Sequence, residues 1–148
     1  MATNQSLVSF VREKAQRTEK SPDWKARRRK WLRDIAGLHK AIRGWLRPLE
    51  AEKAIQIEES KMTLQEDYLG AYEVPCLHIL IGTQKVSLRP KGTLIAGAQG
   101  RVDVSGDRSV VTLVVNDGEW FILGRTDRVR LLPFTEDSFR DLLEEVMA

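Results

Sequence analysis

Residues 24–47, WKARRRKWLRDIAGLHKAIRGWLR, carry two patterns at once. At 100° per residue, Trp24, Trp31, Leu38 and Trp45 recur every seven positions, with Ile35 and Ile42 beside them and Leu32, His39 and Leu46 flanking. They make one apolar stripe. Opposite it, Lys25, Arg29, Arg33, Lys40, Arg43 and Arg47 fall within an arc of about 80° along roughly 33 Å of helix. Asp34 is the only acid in the segment, so pairing of opposite charges four residues apart does not neutralise the cationic side. Ser21, Pro22 and Asp23 read as an N-cap, a proline at the first helical position and an acid in the first turn, and Pro48 closes the pattern.

Upstream, Leu7, Phe10, Val11 and Ala15 stand at helical spacing and predict a short second helix. Past Pro48 the pattern allows another helical turn or two, but Ile55 and Ile57, then Met62 and Leu64, alternate as in short strands, and the segment reads as a junction. Beyond Tyr72 the pattern is β: residues 74–81, 85–88, 93–95, 102–104, 109–115, 119–123 and 128–132 are apolar runs separated by Gly82, Pro90-Lys91-Gly92, Gly97, Gly100, Gly106-Asp107 and Asn116-Asp117-Gly118. Pro133 ends the last run. Thr135-Glu136-Asp137 then opens a helix with Phe139, Leu142, Leu143, Val146 and Met147 on one face. No helical pattern separates the strands as βαβ units require. The expected fold is α+β, an N-terminal helical pair followed by a curled antiparallel sheet (a roll or small barrel) and a C-terminal helix, divided into a basic helical segment, 1–53, and a β-rich domain, 54–148.

The runs Tyr68-Leu69-Gly70-Ala71-Tyr72-Glu73-Val74-Pro75, Pro90-Lys91-Gly92-Thr93-Leu94-Ile95-Ala96-Gly97-Ala98 and Gly100-Arg101-Val102-Asp103, with Trp120 and the helix from Thr135-Glu136 to Phe139, resemble a family of small bacterial proteins. The resemblance covers about residues 66–147 and leaves the basic helix outside. It implies a bacterial cytosolic setting and carries no activity, ligand or catalytic residue.

With 42% hydrophobic and 30% charged residues, the 148-residue chain has a globular composition. Its formal net charge of +3 divides unevenly, as +6 over residues 1–60 and −3 over 61–148. The single cysteine, Cys76, excludes an internal disulfide and reads as a small buried hydrophobe within an apolar run. The first thirty residues lack the apolar core of a signal peptide, and no apolar run approaches the length of a membrane span. A cytoplasmic location is expected.

Patterns that could carry chemistry fall short of their requirements. The stretch from Gly92 to Arg101 lacks the terminal Gly-Lys-Ser/Thr of a phosphate loop and the glycine order of a dinucleotide fingerprint. Glycines that let strands bend explain it better. Arg101 and Asp103 share a sheet face as a surface ion pair, while Asp107 and Asp117 are turn formers. His39 and His78 lie in different elements with no third ligand for zinc, and no nucleophile elbow is present. The chain is therefore expected to be no enzyme and to need neither cofactor nor metal.

What remains is the basic helix. Its expected role is sequence-independent contact with nucleic-acid phosphate through Lys25, Arg28, Arg29, Arg33, Lys40, Arg43 and Arg47, against the plainer alternative of a solvated helix face. The other functional alternative is an adaptor subunit whose stripe of Trp24, Trp31, Leu38 and Trp45 docks into a protein partner or a second copy of the chain. A membrane is not expected as partner.

Overall fold

The computed structural model describes residues 7–12, 23–93, 98–124 and 131–148. Helix α1 (Trp24–Ala51) is followed by seven strands, β1 (Ile55–Glu66), β2 (Gly70–Ile81), β3 (Gln84–Gly92), β4 (Gly100–Ser105), β5 (Val110–Asn116), β6 (Glu119–Leu123) and β7 (Leu131–Pro133), and then by helix α2 (Glu136–Val146). Every strand pairs antiparallel with its neighbour in sequence, so the sheet is a meander in the order β1-β2-β3-β4-β5-β6-β7.

Two expectations are overturned. The helical pair is replaced by one long helix: residues 7–12 form only a short helical stretch, in which Leu7, Phe10 and Val11 are 62%, 57% and 54% exposed. The roll or barrel is replaced by an open sheet, whose end strands β1 and β7 do not pair with each other. The physical reason is the apolar stripe of α1. A closed barrel buries its inner face against itself, whereas here that face is buried against a helix, and Trp31, Ile35, Leu38, Ile42 and Leu46 join strand residues from Ile55 to Val115 in one core.

Helix α1 starts two positions later than its capping pattern predicted. Asp23 is the N-cap, its carboxylate accepting from the backbone N–H groups of Lys25 and Ala26 at 3.1 Å each, while Ser21 and Pro22 lie outside the described residues. At the other end the helix runs through Pro48 to Ala51. Proline there removes one helical donor and leaves the last turn in place. Helix α2 begins as expected, with a reciprocal box between Thr135 and Ser138. The strands expected at 93–95 and 128–132 fall largely outside the described residues.

The junction proves to be a full strand. β1 pairs with β2 without interruption from Ile55↔Ile81 to Glu66↔Gly70, but β3 pairs only with Leu77–Ile81 of β2. The rest of the β1–β2 hairpin is a two-stranded ribbon, the arrangement that twists most. The twist switches which face meets the core: Ile55, Leu77 and Ile79 are buried near the base, whereas Leu64, Tyr72 and Val74, of opposite parity, are buried nearer the tip. At the tip, the Tyr72 hydroxyl donates to Glu66, whose other oxygen accepts from the backbone N–H and hydroxyl of Thr93 just past β3. Burial and the Glu66 carboxylate push the Tyr72 pKa up. Gly92 is needed there: its φ is +143°, and a Cβ would stand 2.6 Å from Glu66 Oε1. The ribbon is thereby held beside the N-terminal half of α1.

Candidate nucleic-acid interface

Helix α1 presents its two stripes to different surroundings. Trp31 and Leu38 are each 1% exposed. The six-membered ring of Trp31 lies over Gly100 of β4, so closely that a Cβ at that position would come within 2.2 Å of it, and the ring also meets Trp120 at a centroid distance of 6.2 Å. Trp120 Nε1 donates to the carbonyl of Asp34 at 3.1 Å, fastening β6 to the helix. Trp45 is half-buried among Phe134 and Phe139, at centroid distances of 5.4 and 5.6 Å. The two central residues of the stripe expected to dock a partner, Trp31 and Leu38, are thus buried in the chain's own core, because the sheet supplies the apolar surface they need.

The opposite face remains in water. Lys25, Arg29, Arg33, Lys40 and Arg47 are exposed, and none of them is in an ion pair among the described residues. The other two cations of the expected site turn toward the β1–β2 ribbon. Arg28 Nη1 is 3.4 Å from the Leu69 carbonyl oxygen, and Arg43 Nη2 is 3.9 Å from Glu59 Oε2. Two cations outside that set lie on the far flank, where Arg27 Nη2 donates to the Thr93 carbonyl at 2.8 Å and Lys30 Nζ to Gln99 Oε1 at 2.7 Å. Asp34, the one acid of the segment, is half-buried, and burial holds its carboxyl above the ordinary aspartate value against the pull of Lys30 and Arg33.

Between α1 and the ribbon lies a pocket of about 300 Å³ whose lining includes His39, Lys40, Arg43, Arg47, Glu59 and Pro75. His39 is 5% exposed and its Nε2 has no hydrogen-bond partner among the described residues. Burial pushes its pKa down to about 4, Glu59 opposing and Arg43 adding to the effect, so the ring is neutral at pH 7. The positive charge of this pocket therefore comes from Lys40, Arg43 and Arg47.

At the N-terminal end of α1 the sequence reading missed an aromatic pair. Trp24 stacks on Tyr68 with ring centroids 5.0 Å apart and planes 13° from parallel, and the Arg27 guanidinium carbon sits 5.5 Å from the Trp24 ring centre. Tyr68 belongs to the three-residue loop of the β1–β2 hairpin, has φ +71°, and is 76% exposed. The only mark it left in the sequence was an aromatic residue in a turn.

The remaining candidates are hydrogen-bonded or buried within the sheet. Arg101 Nε and Nη2 donate to the two carboxylate oxygens of Asp103 at 2.8 and 3.2 Å, and Thr112 Oγ1 donates to Asp103 at 3.2 Å. That hydrogen bonding raises the Arg101 pKa. His78 is 7% exposed and held between the Ser60 and Ser87 hydroxyls at 2.7 and 2.8 Å. Cys76 is buried, and burial raises its thiol pKa.

No protein-family model, curated protein or solved structure matches the chain. Among the described residues no helix is long and apolar enough to cross a membrane.

Proposed function

We propose that this protein is a non-catalytic, cytoplasmic binding module that grips nucleic-acid phosphates through the outward face of α1. The observation that carries the proposal is the row of Lys25, Arg29, Arg33, Lys40 and Arg47, exposed and without ion pairs among the described residues, on a helix whose opposite face is anchored by Trp31, Ile35, Leu38 and Ile42. Anchoring matters because a rigid row of cations meets successive phosphates without first ordering the helix. Binding of this kind releases counterions, depends steeply on salt and is largely indifferent to sequence. The β sheet serves as the scaffold that holds the helix. Docking of a protein partner through the tryptophans has less support, since Trp31 and Leu38 are already buried in the chain.

Charge reversal tests the proposal. Arg29→Glu, Arg33→Glu and Arg47→Glu together should abolish retention of a fluorescently labelled oligonucleotide while leaving the circular dichroism and unfolding midpoint near those of the parent. Unchanged retention in the folded triple variant would refute it.

A further inference from the structure

The aromatic pair at the end of the cationic row is unlike ordinary core packing. Trp24 is half-buried, but Tyr68, stacked on it at 5.0 Å and 13°, is 76% exposed, so the stack ends on a ring open to solvent. The chain holds that ring out by an uncommon backbone conformation. Tyr68 has φ +71°, a region that bulky side chains rarely occupy, while its neighbour Leu69 is buried at 6%. The left-handed turn thus sends adjacent side chains in opposite directions, Leu69 into the core and Tyr68 outward onto Trp24. Lys25, Arg28 and Arg29 occupy the same first turns of α1, and the ribbon that carries Tyr68 runs beside that helix.

From this placement we infer that the ligand of the cationic face is single-stranded nucleic acid, one base of which stacks on Tyr68 and extends the Tyr68–Trp24 pair while the sugar-phosphate backbone follows Lys25, Arg29, Arg33, Lys40 and Arg47. A base inside a duplex has no free face to offer an exposed ring, whereas every unpaired base has one, whatever its identity. Phosphate contacts alone do not distinguish single strands from duplex, so the aromatic pair is what supplies the preference. The inference rests on the phosphate-binding proposal above and deepens it by naming the strandedness of the ligand.

The experiment is fluorescence anisotropy of the full chain with three labelled probes of equal phosphate number: an oligo-dT, an oligo-U and a blunt DNA duplex. The parent should bind both single strands more tightly than the duplex. Tyr68→Ala and Tyr68→Gly should weaken single-strand binding about ten-fold, the loss of one stacked base, and leave duplex binding within about two-fold. Tyr68→Phe, which keeps the ring, should bind as the parent does. Glycine suits the positive φ at this position, so the Gly variant keeps the test valid should the Ala variant fold poorly. If the Gly and Ala variants bind single strands as tightly as the parent, while charge reversal of Arg29, Arg33 and Arg47 still abolishes binding, the stacking inference is overturned and the phosphate-binding proposal stands. If the parent binds none of the probes at low salt, both fall. A duplex bound as tightly as both single strands overturns the inference.

Discussion

Adding one methyl group at Gly100 tests whether the tryptophan stripe is committed to the interior. An ideal Cβ at this position would lie 2.2, 2.5 and 2.9 Å from Cζ3, Cε3 and Cη2 of Trp31, where ordinary contact begins near 3.4 Å. The ring has nowhere to go: Trp31 is 1% exposed and is backed by Trp120 at 6.2 Å. Gly100→Ala should therefore cost about 3 kcal/mol, the upper part of the range for overpacking a core. Trp31→Leu alone should cost a similar amount, about 2–4 kcal/mol, because it leaves a cavity. Combined, the two should couple, since the alanine methyl occupies space the indole has vacated, and the double variant should be at least about 1 kcal/mol more stable than additivity predicts. Urea unfolding followed by far-UV circular dichroism measures all four proteins. A Gly100→Ala protein within about 0.5 kcal/mol of the parent, or strict additivity, would refute the packing described and reopen the stripe as a docking surface.

Acidification should act through His39. Its folded pKa, lowered to about 4 first by burial, lies below the value of 6.5 expected for the unfolded chain. The stability linked to it is fully present above pH 6.5 and is lost as pH falls toward 4, because the unfolded state takes up a proton that the folded state refuses. The linkage amounts to about 3 kcal/mol, and between pH 7 and pH 4.5 the urea stability of the parent should fall relative to that of His39→Leu by most of that; parallel pH profiles would show that His39 is not the group responsible. Thr135→Ala removes the side-chain acceptor for the Ser138 N–H at the start of α2 and should lower stability by about 1 kcal/mol, with no change in oligonucleotide binding. An anisotropy titration of the same variant checks the second half of that expectation.

The helix was legible because residues 24–47 alternate in chemistry around the axis, and the same reading located the exposed cations. The C-terminal helix and strands β2, β5 and β6 were legible from turn residues and apolar runs. β1 was not, for a physical reason: Glu58, Glu59, Ser60 and Lys61 are consecutive exposed residues, so the strand shows no polar-apolar alternation at its centre. The twist of the ribbon hides it further, since the core-facing parity differs between Ile55 and Leu64. The closed sheet was a reasonable solution for strands that had to bury a face, and it failed because that face is covered by a helix placed before them in the chain. The Trp24–Tyr68 stack joins residues that no local pattern connects, and it arises only once the ribbon folds back along α1. For the same reason, seven-residue spacing revealed the tryptophan stripe without revealing that Gly100 and Trp120 already receive Trp31.

The salt dependence of binding tests the phosphate-gripping face of α1 most directly. Anisotropy titrations of the parent chain with a labelled oligo-dT at several salt concentrations give the slope of log K against log salt. If the exposed cations Lys25, Arg29, Arg33, Lys40 and Arg47 each meet one phosphate, that slope should be about −3.5 for a single strand. A slope near zero, or no binding at the lowest salt, would contradict the claim that this face of α1 is built to hold a phosphate backbone.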